Sequence, residues 1–248
     1  MKNIVYLLLF ITNILAAQTG FETGNALYKR GQYEQAIQAY ESVARVGKKE
    51  SAELYFNLGN CYYKLNKVAP AIFNYERALV LNPNDTEIQN NLKFAQKRTI
   101  DEIKVLPKVG FEKLIRDFTA FYHYNSWAWI SIGFSVFFLL SFLGYYFGQT
   151  AIVKRVFFFG MFVCLLFVLI SFFSAYFEQR HFVNDRPAIL FAESADVKSE
   201  PQNSSSTVIM LHEGTKVFVL ETLEQWRKVQ LTDGTEGWLK ANTLEEVK

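Results

Sequence analysis

Two apolar runs, Trp127 to Phe147 and Val156 to Phe177, contain no Asp, Glu, Lys or Arg. A helix needs about 20 apolar residues to cross a hydrocarbon core of roughly 30 Å, so each run is long enough to span a bilayer. Between them, residues 148–155 (GQTAIVKR) leave room only for a tight turn. The pair therefore predicts a helical hairpin at 127–147 and 156–177, with both flanking segments on one side of a membrane.

The first residues say which side. Met1-Lys2-Asn3 is a short charged start, Ile4 to Leu15 is apolar but short for a span, and Ala16-Ala17-Gln18 supplies small residues for cleavage. This layout predicts a secretory signal peptide over residues 1–17, with an uncleaved anchor as the alternative. In both cases the segment that follows is exported. Lys154 and Arg155 suit a cytoplasmic loop at 148–155, but Lys113, Arg116, Arg180 and Arg186 lie near the outer ends of the spans and dilute that signal.

The remaining composition is that of ordinary soluble domains joined to a membrane segment. Trp127, Trp129, Tyr122, Tyr124 and Tyr176 gather where the spans meet the outer interface, as aromatic anchors do. Residues 18–125 hold 15 basic and 12 acidic side chains, and residues 182–248 hold 7 and 11, so neither part has the basic excess that nucleic acid requires. Cys61 falls in a soluble helix and Cys164 in mid-membrane, so they cannot pair. The exported parts fold without a disulfide.

Residues 20–98 contain a repeat. Gly24-x-x-Leu27-x-x-x-Gly31-x-Tyr33-x-x-Ala36-x-x-x-Tyr40 aligns with Gly59-x-x-Tyr62-x-x-x-Asn66-x-Val68-x-x-Ala71-x-x-x-Tyr75-x-x-Ala78 at an offset of 35 residues, with one extra residue near Gly47-Lys48-Lys49. Periods in this range signal a helical solenoid: small residues let paired helices approach, aromatic residues fill the space between pairs, and Pro83 ends the last helix. The pattern resembles tetratricopeptide repeats. After Pro83, Asn84-Asp85-Thr86-Glu87 reads as a helix start, and Ile88, Leu92 and Ala95 give one apolar face through Arg98. This is a solvating cap, because two repeats alone would leave an apolar end uncovered. Within the linker 99–126, Phe111, Leu114, Ile115, Phe118 and Phe121 recur at helical spacing among charges, which predicts an amphipathic helix on the membrane surface.

The resemblance implies a concave face lined by the first helix of each repeat. On the matched glycines, that face holds Asn25, Tyr28 and Lys29, then Asn57, Asn60, Tyr63 and Lys64. Asn can grip a peptide backbone and Lys can meet a carboxylate; as simple solvated positions they would do neither. The carboxylate clamp of some repeat proteins wants a Lys where this chain has Phe21.

Beyond the second span the periodicity becomes that of strands. Ala188-Ile189-Leu190, Val208-Ile209-Met210, Val217-Phe218-Val219-Leu220, Trp226-Arg227-Lys228-Val229 and Gly237-Trp238-Leu239 are short strand candidates, with Asp233-Gly234 marking a tight turn. The order Leu211-His212-Glu213-Gly214-Thr215-Lys216-Val217, Trp226 to Val229, then Asp233 to Leu239 resembles bacterial SH3-like domains, which implies a small barrel over 182–248. Ser199 to Thr207 would be a mobile loop within it. The resemblance further implies an aromatic groove for peptides or cell-wall fragments. Trp226 is the residue expected there, with Trp238 as packing.

No P-loop, nucleophile elbow or metal-ligand spacing is present, and no enzymatic activity or cofactor is expected. His123 and His181 sit at similar depth outside the two spans, and interfacial packing explains them more simply than haem ligation does. Spans without ionisable residues offer no ion path. The small-xxx-small pairs Gly144 with Gly148, Gly160 with Cys164 and Ser171 with Ala175 permit close helix contact.

The expected fold class is thus a multidomain membrane protein: an all-α tetratricopeptide solenoid, a two-helix transmembrane hairpin and an all-β SH3-like barrel. This order, with Asn90-Asn91-Leu92-Lys93-Phe94-Ala95 and Asp101-Glu102-Ile103, resembles the BatE proteins of the bacterial aerotolerance operon. That resemblance implies a non-enzymatic scaffold of the bacterial inner membrane with both soluble domains in the periplasm. Its implied partners are membrane-anchored von Willebrand A-type proteins and an associated ATPase, in envelope maintenance or oxidative-stress resistance. The alternative is a cell-wall sensor whose SH3-like domain binds peptidoglycan.

Overall fold

The computed structural model describes residues 20–47, 50–103 and 110–248. The expected signal segment 1–17 lies outside the described residues. The chain divides into two compact units: residues up to Leu106 together with Arg186–Lys248, and the intervening Pro107–Asp185. The helical repeats and the C-terminal barrel therefore belong to one unit, into which the apolar hairpin is inserted.

The repeats are built from α1 (20–29), α2 (Tyr33–Gly47), α3 (Ala52–Lys64) and α4 (Val68–Leu81), followed by α5 (Thr86–Gln96). Local chemistry sets their ends. The Ser51 side chain accepts from the Leu54 amide, and Asp85 accepts from the Glu87 and Ile88 amides, satisfying donors that a helix start leaves orphaned. The turns inside the two repeats match residue for residue: Gly31 has φ +75° and Asn66, its counterpart 35 positions on, has φ +58°. Glycine and asparagine are the residues that take this left-handed conformation at least cost. Packing repeats in the same way. A Cβ on Gly24 would lie 2.4 Å from the Tyr40 ring and one on Gly59 would lie 2.6 Å from the Tyr75 ring, so each glycine is the seat of a buried tyrosine.

Seven antiparallel strands follow: β1 (Pro187–Leu190), β2 (Ser194–Lys198), β3 (Thr207–His212), β4 (Lys216–Leu223), β5 (Trp226–Gln230), β6 (Glu236–Lys240) and β7 (Leu244–Glu246). Their order is β3-β2-β6-β5-β4-β1-β7. The sheet wraps a core that includes Ala188, Leu190, Val197, Leu211, Val217, Val229 and Leu239. Asp233 and Gly234 make the β5–β6 turn, with Gly234 at φ +87° and the Thr235 amide donating to the Asp233 carboxylate at 2.9 Å. The Ser199–Ser206 segment is cross-braced, for the Ser205 hydroxyl donates within reach of the Glu200 and Gln202 carbonyls and the Ser199 amide donates to the Ser206 carbonyl.

β1 is buried along its whole length, and this joins the two halves of the unit. Ala188 and Leu190 point into the barrel, whereas Ile189 points the other way and is buried in the same apolar cluster as Ile72, Tyr75 and Ala78 of the repeats. Val247 joins that cluster, and Phe191 meets Phe73 edge to face with centroids 5.5 Å apart. The barrel thus covers the outer side of α4, while α5 covers the other exposed flank. The cap expected of α5 alone is shared between a helix and a barrel.

The second unit holds α6 (Phe111–Thr119), α7 (Tyr124–Phe147) and α8 (Ala151–Asn184). Most apolar side chains of α7 and α8 are exposed all round, Val136 at 53% and Phe159 at 67% among them. An apolar helix exposed in this way suits lipid rather than a soluble core. The two helices touch through small residues: a Cβ on Gly144 would strike the Phe157 ring at 2.6 Å, Gly160 faces Ser141, and Phe134 stacks on Phe167 at 4.8 Å. Gly148 caps the end of α7, where a Cβ would lie 2.9 Å from the Gly144 carbonyl and 3.1 Å from Val153. The link is shorter than expected, because Thr150 caps α8 and places Lys154 and Arg155 in its first turns. Helical hydrogen bonding continues past the last apolar residue, since long basic side chains can reach water from a helix end. The Trp127 indole donates to the Thr119 carbonyl at 2.8 Å and so ties α6 to the start of α7.

Candidate functional site

The concave face carries a ladder of amides. The Tyr40 hydroxyl donates to Asn25 Oδ1 at 2.6 Å, and Asn57 Nδ2 donates to the same oxygen at 3.2 Å. One repeat further on, Tyr75 donates to Asn60 Oδ1 at 2.7 Å and Asn91 Nδ2 donates to it at 2.9 Å. A carbonyl oxygen has two lone pairs, so both are filled from within the fold. The side chains of Asn25, Asn57 and Asn60, expected on a peptide-binding face, are thus also engaged in fastening neighbouring helices together.

What the face offers a ligand is aromatic and cationic. Tyr28, Tyr63, Lys64 and Asn60 line one pocket of about 270 Å³ with Tyr75, Glu87, Asn91 and Phe94. Phe94, which is 55% exposed, comes from α5 and was not among the expected residues. Its position, three after Asn91 as Asn60 is three after Asn57, is the signal that could have found it. Arg98 stacks over the Tyr63 ring at 3.9 Å and donates to Asn66 at 3.0 Å, which fixes the pocket's rim. Lys29 is exposed on α1 outside this pocket. Cys61 is fully buried beneath the face, and burial pushes its thiol up to about 12, so it is no nucleophile.

In the barrel the two tryptophans exchange their expected places. Trp226 is only 5% exposed, with Lys240 Nζ 6.0 Å from its ring centre, while Trp238 is half-buried. The groove role expected of Trp226 therefore rests on the small part of its surface that stays open. Trp226 opens β5 opposite Leu223 and Lys240 and is closed over on both sides, whereas Trp238 lies at the junction of β5, β6 and β2.

A polar latch joins the repeats to the barrel. Asp101 takes three hydrogen bonds: from the His212 amide at 2.6 Å, the Thr215 hydroxyl at 2.6 Å and His212 Nδ1 at 2.8 Å. Burial works against its charge, but the donors from Thr215 and His212 outweigh burial and hold the carboxyl below its ordinary value. Lys216 reaches Glu76 of α4 at 2.7 Å, and the Glu76 side chain is only 8% exposed. Gly214 sits between them at φ +85°, where a Cβ would lie 2.8 Å from Thr99 and 3.2 Å from Ile72 and Val68. None of these contacts spans fewer than a hundred residues, and none was expected.

His123 caps α7 and packs edge to face on Phe182 at 5.7 Å. Among the described residues no three of His, Cys, Asp and Glu gather as a metal site would need.

These folds have counterparts. A tetratricopeptide repeat family matches residues 52–85, a TPR repeat family matches residues 24–66, and a bacterial SH3 domain family matches residues 193–245. A search of curated proteins finds no match. The chain is thus similar to tetratricopeptide repeats and to bacterial SH3 domains in its two soluble parts, and it carries two helices long and apolar enough to cross a membrane. Domains of these types ordinarily bind partners and do not catalyse. The combination is that of an adaptor for protein or cell-wall ligands.

Proposed function

We infer that this protein is a membrane-anchored adaptor of the bacterial envelope, displaying one rigid binding body outside the inner membrane. The observation that carries the reading is the insertion of the apolar hairpin within a single folded body. Segments that pack together must lie on one side of any bilayer, so an even number of spans separates residue 106 from residue 186. With an exported N-terminus, that side is the periplasm. The concave face, through Tyr28, Tyr63, Lys64 and Phe94 with Lys29 beside them, holds a segment of a protein partner. The resemblance to BatE proteins names candidates for it: membrane-anchored von Willebrand A-type proteins and their ATPase, in an aerotolerance complex.

The experiment is co-purification in mild detergent of the full-length protein and of a Lys29→Glu/Lys64→Glu variant, with mass spectrometry of what accompanies each. Deleting residues 20–98 would expose Ile189 and Val247, so charge reversal is the cleaner change. Loss of one defined membrane partner supports the adaptor; identical partner sets count against the concave face.

The second reading, a peptidoglycan sensor, is favoured by the bacterial SH3 similarity over residues 193–245. Retention of the full-length protein on cell-wall sacculi, lost on Trp238→Ala, supports it.

A further inference from the structure

The segment Asn90 to Ala95 and Asp101 to Ile103 divides cleanly by structural role. Asn91 bonds to Asn60, Leu92 and Ala95 are buried, Asp101 latches the barrel, and Ile103 packs against the barrel core. Asn90, Lys93, Phe94 and Glu102 have no such task. All four line one cleft of about 660 Å³ between α5 and the barrel, together with Lys97, Thr99, Gly214, Lys216 and Thr232.

Asn90, Lys93, Phe94 and Lys97 recur at helical spacing on one side of α5, opposite the buried Ile88, Leu92 and Ala95. Among the described residues no carboxylate pairs with Lys93 or Lys97, and Lys97 Nζ lies 5.6 Å from the Phe94 ring centre. The charges nearest on the facing wall are already committed: Lys216 to Glu76 and Asp101 to its three donors. The cleft therefore presents two cations without an ion-pair partner and an exposed aromatic ring, with Glu102 as its one uncommitted carboxylate, so one positive charge is left over for a ligand. It exists only while repeats and barrel are docked.

We propose that this cleft binds an extended acidic peptide segment of a protein partner, its carboxylates meeting Lys93 and Lys97 and an apolar side chain resting on Phe94. Phe94 borders both this cleft and the concave-face pocket, but Lys93 and Lys97 line only the cleft and Tyr28, Tyr63 and Lys64 only the pocket, so charge reversal at the two lysine pairs distinguishes the two proposals. A peptide seated on α5 also meets Gly214 and Thr232 of the facing barrel wall, so it holds the repeats and barrel together and its occupancy is coupled to the latch at Asp101.

The test uses the full-length protein in lipid nanodiscs and two fluorescein-labelled ten-residue peptides, one alternating Glu with Leu and Phe, the other Lys with Leu and Phe. Fluorescence anisotropy should show salt-sensitive binding of the acidic peptide only. Lys93→Glu/Lys97→Glu should weaken it about tenfold or more, whereas Lys29→Glu/Lys64→Glu leaves it unchanged. Circular dichroism checks that each variant is folded, and Phe94→Ala, an exposed site, gives a second variant that should lose affinity without any change of charge. Equal binding of both peptides, no binding of the acidic one, or binding that survives both Lys93→Glu/Lys97→Glu and Phe94→Ala would overturn the proposal. So would retention on sacculi that depends on Lys93 and Lys97 without peptide binding, since that would assign the cleft to the cell wall.

Discussion

Removing the Asp101 carboxylate should undock the barrel from the repeats without unfolding either. Its two shortest bonds come from the His212 amide and the Thr215 hydroxyl, and both donors are part-buried in the interface. A hydrogen bond to a charged group is worth about 1.5–3 kcal/mol, and such terms do not simply add. His212 Nδ1 can turn to water in the variant, so Asp101→Ala should cost about 3 kcal/mol. Asp101→Asn keeps an oxygen where both short donors converge and loses only charge assistance, costing about 1 kcal/mol. The natural assay is amide hydrogen exchange of the full-length protein in nanodiscs, read by mass spectrometry at residues 99–103 and 210–216. If undocking limits exchange there, 3 kcal/mol corresponds to about a hundredfold acceleration in the Ala variant. The pH dependence carries its own sign. Asp101 is held below its ordinary value of 3.8, so its contribution is complete above that pH and fades as pH falls through the lower folded value. The contribution of the Asp101 charge should therefore fade only in strong acid, and the Asn variant should lose that transition. Unchanged exchange in Asp101→Ala, or an acid transition that persists in Asp101→Asn, would refute the reasoning.

Three further changes probe the same body. Lys216→Met leaves the Glu76 carboxylate without its partner in a site where its side chain is 8% exposed, and should lower thermal stability by about 2 kcal/mol, below the range for a fully buried pair because Lys216 is partly solvated; denaturation of the Lys216→Met/Glu76→Leu double variant should recover most of it. Gly59→Ala forces a methyl into the Tyr75 ring and should destabilise the repeats by about 1–3 kcal/mol, measurable by urea titration, whereas Gly31→Ala should cost about 1–2 kcal/mol through its left-handed φ of +75° alone, since nothing lies within 4 Å of it. Trp226→Ala should destabilise the barrel by about 3–5 kcal/mol and so abolish every barrel property at once, whereas Trp238→Ala, at a half-buried site, should leave the far-ultraviolet dichroism and its cooperative melting largely intact.

The sequence made some of this legible because its cause is local. Gly24, Gly59, Tyr40 and Tyr75 announce helix pairs by size alone, and Asp233-Gly234 announces a hairpin by backbone preference. β2 and β7 were not visible: Ser194–Lys198 buries only Val197, and Leu244–Glu246 is three residues long, so neither has a periodicity to read. The docking of barrel on repeats depends on pairs such as Asp101 with His212 and Glu76 with Lys216, more than a hundred residues apart, which no local pattern encodes. One trace of it was present. Ala188-Ile189-Leu190 does not alternate as a half-exposed strand should, and the reason is that Ile189 faces a second core. The bonding of Asn25 and Asn60 was not legible, because composition shows a polar side chain without showing that a tyrosine 15 residues on already donates to it.

Repeats and barrel form one body interrupted by the apolar hairpin, and a distance across that body should therefore be fixed. Spin labels on exposed Gln38 and Asn242, with Cys164 replaced by Ala and the fully buried Cys61 left in place, allow pulsed electron-electron resonance on the full-length protein. A single narrow distance distribution, the same in detergent and in nanodiscs and broadened by Asp101→Ala, is the predicted result. A broad distribution in the unmodified latch would mean that the two modules move independently, and would contradict the claim.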